Sequence, residues 1–219
     1  LSPLSLPPLP QLPPLSSTSP DYFPKVYEKK QEIRREPVFI RIQEYKTAVE
    51  TVQRIKEKIV VALNTGTRNK WRPREYSPRN WIEVSKLLIE KNYEVMVVGG
   101  DKEDENNKII AKESGAKYFG TFSRQNFLGL LSLSDIVLTS ASFGLHAAIG
   151  LEKNIVLLNN LFNKYEFYMY GKGRVLEPDL PCLMCYKEDF DSKCPVVPCM
   201  DIVKPEKIVE EVEKFKLQK

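Results

Sequence analysis

The residues best suited to chemistry in this chain follow an apolar stretch near its middle. Leu138-Thr-Ser-Ala-Ser-Phe-Gly-Leu-His-Ala-Ala-Ile-Gly150 runs from a short strand into a small-residue helix and carries the single histidine, His146. A strand that ends in hydroxyl residues and opens a helix directs backbone N–H groups and the positive end of a helix dipole beyond the sheet edge, where phosphate is the usual guest. Ser142, Phe143, Gly144 and His146 are therefore candidate anion-binding positions. The competing reading is that Ser142 only caps a packing helix and His146 is an interior histidine with its bonds satisfied. A second group follows an earlier apolar run: Thr65, Gly66 and Thr67, then the cations Arg68, Lys70, Arg72 and Arg74. A third is Gly99-Gly100 with Glu103 close behind. Glycines, hydroxyls and Lys/Arg hold a diphosphate through backbone N–H, hydroxyl and charge-assisted bonds, and a carboxylate on a neighbouring loop takes ribose hydroxyls. For the basic run, a solvated loop is the alternative.

These groups recur because the elements that carry them recur. Lys58–Leu63 (KIVVAL), Glu94–Val98, Lys117–Phe119, Ile136–Thr139 and Asn154–Leu158 read as short buried strands. Between them lie helical patterns: one opened by Ser77-Pro78 with Trp81, Val84 and Leu88 on its apolar face, a polar one over 103–114, one capped by Ser123, and the His146 helix. Upstream, Tyr45, Ala48, Val49, Val52 and Ile55 also fall at helical spacing. Alternating strands and helices predict an α/β fold, a doubly wound parallel sheet covered on both faces. Ligands in such folds sit beyond the carboxyl ends of the strands, where the three groups fall. There is no G-x-G-x-x-G fingerprint and no Walker A lysine loop, which argues against an ordinary dinucleotide enzyme or a P-loop NTPase.

The chain has 219 residues, 42% hydrophobic and 28% charged, and no apolar run approaches the roughly 20 residues of a membrane helix. The net charge of +4 arises from 33 basic and 29 acidic residues, a balance that does not point to nucleic acid. The opening LSPLSLPPLPQLPPLSSTSP holds seven of the sixteen prolines and lacks the basic start and uninterrupted apolar run of a secretory signal. It favours polyproline II, so residues 1–20 read as linker within an irregular segment over 1–40, and the chain reads as a fragment of something larger. Residues 41–219 read as the α/β domain, including a cysteine-rich loop over 181–200 and a C-terminal helix.

In that order the segments LNTGTRNKWRPREYSPRNW, EVMVVGGDKEDE, GTFSRQNFLGLLSLSDIVLTS, FGLHAAIGLEKNIVLLN, EFYMYGKG and CLMCYKEDFDSKCPVVPCM resemble glycosyltransferase family 9, the heptosyltransferase-like enzymes of two-domain GT-B architecture. The resemblance covers about residues 58–215 and only the family's C-terminal, nucleotide-sugar-binding domain. The family carries Asp-Ser/Thr-Gly-x-x-His after the fourth strand. Here Ala141 stands for the acid and Phe143 for the glycine, while Ser142 and His146 match. The family's lysine after the first turn aligns with Lys70 or, anchored on Trp71, with Arg74.

The resemblance implies transfer of a sugar, typically heptose from ADP-heptose, to a lipopolysaccharide core acceptor with inversion at the anomeric carbon. It implies a donor site of Thr65, Gly66, Thr67, Lys70, Arg74, Gly99, Glu103, Ser142, Phe143, Gly144 and His146, with no cofactor required for catalysis. The acidic base belongs to an N-terminal domain that residues 1–57 do not supply, so this reading places no catalytic residue in the chain. A cytoplasmic location follows, peripheral at the inner face of the cytoplasmic membrane. The alternative is a non-catalytic nucleotide-sugar-binding module with a degenerate site; a GT-B-like epimerase is more remote.

Cys182, Cys185, Cys194 and Cys199 follow a C-x2-C-x8-C-x4-C pattern. They fit a tetrahedral structural zinc, two disulfides in an oxidising compartment, or reduced thiols in a loop. In the aromatic stretch Tyr165–Gly173, Phe167 and Tyr168 are expected to pack helically, and Glu166 is an outlying candidate for touching the donor.

Overall fold

The structure is a computed structural model that describes residues 58–67, 74–184 and 198–216. The helix expected around Tyr45–Ile55, together with Arg68, Lys70, Arg72, Cys185 and Cys194, lies outside the described residues.

The chain builds a six-stranded sheet, every pairing parallel, in the order β3-β2-β1-β4-β5-β6. The strands are β1 (Val60–Asn64), β2 (Glu94–Val98), β3 (Lys117–Tyr118), β4 (Ile136–Ser140), β5 (Asn154–Leu158) and β6 (Gly173–Leu176). β1 and β4 are buried along their whole length, as expected of strands covered on both faces. The helices are α1 (Pro78–Glu90), α2 (Asp104–Ser114), α3 (Arg124–Ser132), α4 (Phe143–Gly150) and α5 (Pro205–Lys216).

Two cores form, one on each side of the sheet. On one side Trp81, Val84 and Leu88 of α1, Ile110 of α2 and Ile208, Val209, Val212 and Phe215 of α5 pack on alternate strand residues, among them Val61 and Leu63. On the other, Leu130 and Leu131 of α3 and Leu145, Ala147 and Ala148 of α4 pack on Ala62, Val137, Ile155 and Leu157. The period of two along each strand divides its residues between the two cores. The predicted doubly wound architecture is what the chain adopts.

Local signals explain where elements begin and end. The Ser77 hydroxyl accepts from the N–H of Asn80 while Pro78 occupies the first helical position of α1. The Ser123 hydroxyl does the same for α3 through the N–H of Asn126. α2 ends on Gly115 in the left-handed region at φ 82°. Residues 101–103 form a 3₁₀ turn ahead of α2 rather than its first turn. β6 was not foreseen, because it starts on Gly173 and follows a loop whose aromatic residues dominate the pattern. That loop is not helical beyond a 3₁₀ turn at Lys164–Glu166. Phe167 packs edge-on against Phe162, at 6.1 Å between ring centroids, but Tyr168 is 74% exposed and does not pack inward. Among the described residues no helix is long and apolar enough to cross a membrane.

Candidate functional site

The chain runs β1-β2-β3 outward in one direction and then returns to lay β4 against the other side of β1. Two loops leaving neighbouring strands toward opposite faces open a crevice between them, and ligands of open α/β sheets bind there. At this point lies a cleft of about 790 Å³, within the range of small-molecule sites.

Asn64 builds its floor. This last residue of β1 is buried, and its Nδ2 donates to Thr139 Oγ1 at 2.8 Å and to Ser142 Oγ at 3.0 Å. It thereby ties the end of β1 to the turn between β4 and α4. The α4 backbone comes so close that a Cβ on Gly144 would fall 2.3 Å from Asn64 Nδ2. Ser142 is the N-cap residue of α4 by position, but its side chain makes no capping bond. Its hydroxyl faces Asn64, contrary to the reading that it serves as a cap. The start of α4 is thus left without a capping side chain, and its residues Ser142, Phe143 and Gly144 lie in the cleft lining.

The opposite wall comes from the ends of β1 and β2. Glu103 folds back so that its Oε2 accepts the N–H of Gly100 at 3.0 Å, and the same carboxylate lies 3.3 Å from where a Cβ on Gly66 would stand. Gly99 is needed for a related reason: a Cβ there would fall 2.7 Å from Nδ2 of the buried Asn107. These glycines let backbone approach backbone, and they leave backbone surface for a ligand.

Of the predicted positions, Gly66, Thr67, Arg74, Gly99, Glu103, Ser142, Phe143 and Gly144 line this one cleft. Thr65 and His146 do not. The Thr65 hydroxyl is bonded to Asn107 Oδ1 at 2.6 Å, where it steadies the β1 turn against α2. His146 is exposed on α4 and outside the cleft lining, which also overturns its reading as an interior histidine. Glu166 is exposed and likewise outside the lining.

Arg74 is buried and acts as a clamp on the β4–α4 turn. Its guanidinium donates to the carbonyl of Ala141 and lies 5.5 Å from the Phe162 ring centroid, while its own carbonyl accepts from Ser140 Oγ at 3.0 Å. Ala141, where an acid was expected, presents only backbone to this arginine.

Residues that the sequence reading did not place at the site complete the cleft, together with Gly100: Asn64, Asp101, Lys102, Phe122, Arg124, Phe127 and Phe162. Asn64 carried a usable signal, a polar residue closing an apolar strand at the expected ligand edge. The three phenylalanines carried none, since each reads as core.

Cys182 is exposed and Cys199 is buried. Asn160, just past β5, ties both sides of the cysteine-rich loop: its carbonyl accepts the N–H of Met184 at 2.8 Å and its Nδ2 donates to Cys199 Sγ at 2.8 Å. Among the described residues no three His, Cys, Asp or Glu side chains gather as a metal site.

No protein-family model and no curated protein sequence matches the chain. Solved structures do. ADP-heptose lipopolysaccharide heptosyltransferase II from Escherichia coli superposes with a TM-score of 0.61 at 17% identity, over 80% of this chain and 51% of that one. A family 9 glycosyltransferase from Veillonella parvula gives 0.62 at 16% identity, over 81% and 50%. The iron-containing dodecameric glycosyltransferase TibC from enterotoxigenic E. coli gives 0.57 at 16%, over 74% and 46%. The chain spans about half the length of the solved structures it matches. At these identities the likeness is one of fold, and the chain has the Rossmann-like, family 9 heptosyltransferase-like fold over the part of those structures that it covers.

Proposed function

We propose that this chain is the donor-binding half of a glycosyltransferase, holding a nucleotide diphosphate sugar for transfer to an acceptor brought by another domain. The observation that carries this reading is the cleft at the β1/β4 crossover, lined by the start of α4, which lacks a side-chain cap, and by the glycines at the ends of β1 and β2. A departing diphosphate needs preorganised positive potential, and the helix start supplies it without reorganisation. Glu103 offers its second carboxylate oxygen to ribose hydroxyls while its first holds Gly100. Heptose, donated as ADP-heptose, is the sugar we favour, after the named substrate of the E. coli heptosyltransferase. A lipopolysaccharide-type acceptor would place the reaction at the inner face of the cytoplasmic membrane.

Deprotonation of the acceptor hydroxyl requires a base within hydrogen-bond reach, and we assign that base to a further domain. The second reading, a binding module without catalysis, is favoured by Ala141, which brings no carboxylate to the β4–α4 turn. Titration calorimetry with ADP, UDP and GDP tests the common core of both readings. ADP is expected to bind in preference to the other two, and no heat with any nucleotide overturns them.

We further propose that Cys182, Cys185, Cys194 and Cys199 hold a structural zinc. The amide donor on Cys199 Sγ fits a ligating thiolate, whose charge such bonds stabilise. Purified chain is expected to contain about one metal per molecule and to melt at lower temperature after chelation. Four titratable thiols in folded, metal-free protein would leave reduced cysteines as the answer.

A further inference from the structure

A donor site for a diphosphate needs a cation that is not already neutralised. Arg74 is buried, with its guanidinium bonded to the Ala141 carbonyl and set beside Phe162, so its donors serve to hold the β4–α4 turn. Lys102 is exposed between Asp101 and Glu103, in a stretch whose acids outnumber it. Arg124 differs from both. It is the first residue of α3, it lines the cleft, and among the described residues no carboxylate pairs with it.

Its guanidinium instead sits over the ring of Phe143, 5.7 Å from the centroid, and Phe143 is held in turn by Phe127 at 5.9 Å between centroids. Phe143 is 50% exposed and stands in the lining of the cleft together with Phe122, Phe127 and Phe162. A stacked guanidinium uses its face on the ring and keeps its edge N–H donors for another acceptor. Since Phe143 opens α4, those donors stand one side chain away from the uncapped N–H groups of the same helix.

Building on the donor-binding reading above, we infer that Arg124 is a phosphate-binding residue for the nucleoside diphosphate, and that Phe143 is the positioning residue that aims it. The cleft is then polarised: acidic on the Glu103 side, where a ribose diol is received, and cationic on the Arg124 side, where the diphosphate lies.

Binding of ADP and of adenosine to the wild-type chain, Arg124→Ala, Arg124→Lys and Phe143→Leu tests this, with thermal melts to verify folding. Arg124→Ala is expected to weaken ADP about tenfold or more, the usual effect of losing a charge-assisted phosphate bond, while adenosine changes less than about twofold. Arg124→Lys keeps charge but not the planar fork and should fall between. Phe143→Leu should weaken ADP about threefold, again sparing adenosine. Equal weakening of ADP and adenosine, or ADP affinity unchanged in Arg124→Ala, overturns the assignment while leaving the donor-site reading intact. Failure of wild-type protein to bind ADP overturns both.

Discussion

Asn64 ends β1 with a buried carboxamide that donates to both Thr139 and Ser142, and α4 packs close enough to leave no space for a side chain at Gly144. Gly144→Ala should therefore push Asn64 aside, destabilise the chain by about 1–3 kcal/mol and weaken nucleotide binding. Gly150, at the other end of the same helix, has nothing within 4 Å of its would-be Cβ, so Gly150→Ala should be neutral or mildly stabilising. Urea denaturation of the two variants makes the comparison, and equal effects would remove Asn64 from its assigned role. Titration offers a second residue-level test. Burial, and then the bond its hydroxyl gives to Asp104, push the Tyr118 hydroxyl from 10.0 up to about 12. The folded state thus holds a proton that the unfolded state releases, so the stability from this group is complete below pH 10 and is lost as pH rises toward about 12. Burial, ahead of the charges of Asp201 and Glu206, raises Tyr76 in the same direction. Melting temperature should fall between about pH 10 and about pH 12 in wild type and fall less in Tyr118→Phe. A parallel decline in the two proteins would show that Tyr118 does not contribute.

At the level of elements, the start of α1 is joined to the chain's C-terminal segment. The Tyr76 hydroxyl donates to the carbonyl of Val203 at 2.7 Å, and Asp201 Oδ1 accepts the N–H of Ser77 at 2.7 Å. The Tyr76 ring meets Trp81 edge-on at 5.2 Å. Tyr76→Phe keeps the ring contact but leaves a buried carbonyl without that donor, at a cost of about 1–2 kcal/mol. Because α5 follows this segment, increased hydrogen exchange should reach α5 as well as the start of α1; exchange confined to α1 would mean that the two ends are not coupled. Arg74 plays a comparable part on the ligand side, clamping the β4–α4 turn. Arg74→Ala should lower melting temperature along with nucleotide affinity, whereas a residue that only contacts phosphate would lower affinity alone. These couplings connect segments more than 60 positions apart, and no local pattern announces them.

For the molecule as a whole, the proposed reaction occurs between two domains, where orientation of donor and acceptor supplies much of the rate. The chain covers about half of each solved structure it resembles in fold. Under that reading it binds donor but does not turn over: with ADP-heptose and a lipid A–core acceptor, acceptor-dependent ADP release should be absent. Release at the rate of a full-length heptosyltransferase would show that a second domain is dispensable.

Much of this architecture was legible in the sequence. Runs such as EVMVV and NIVLL, set between capped amphipathic helices, dictate a parallel sheet buried on both faces, because only that arrangement covers strands with no polar side. The same reading set Gly66, Gly99, Glu103 and Ser142–Gly144 at the carboxyl edge, since loop positions follow from strand order. Tertiary structure decided which way each side chain turned there. Thr65 faces Asn107 and His146 faces solvent, while Asn64, Arg124 and Phe143 come together from segments distant in sequence. Periodicity assigns a residue to a face of one element; which group stands opposite it depends on how two elements pack, and that is a long-range property of the folded chain.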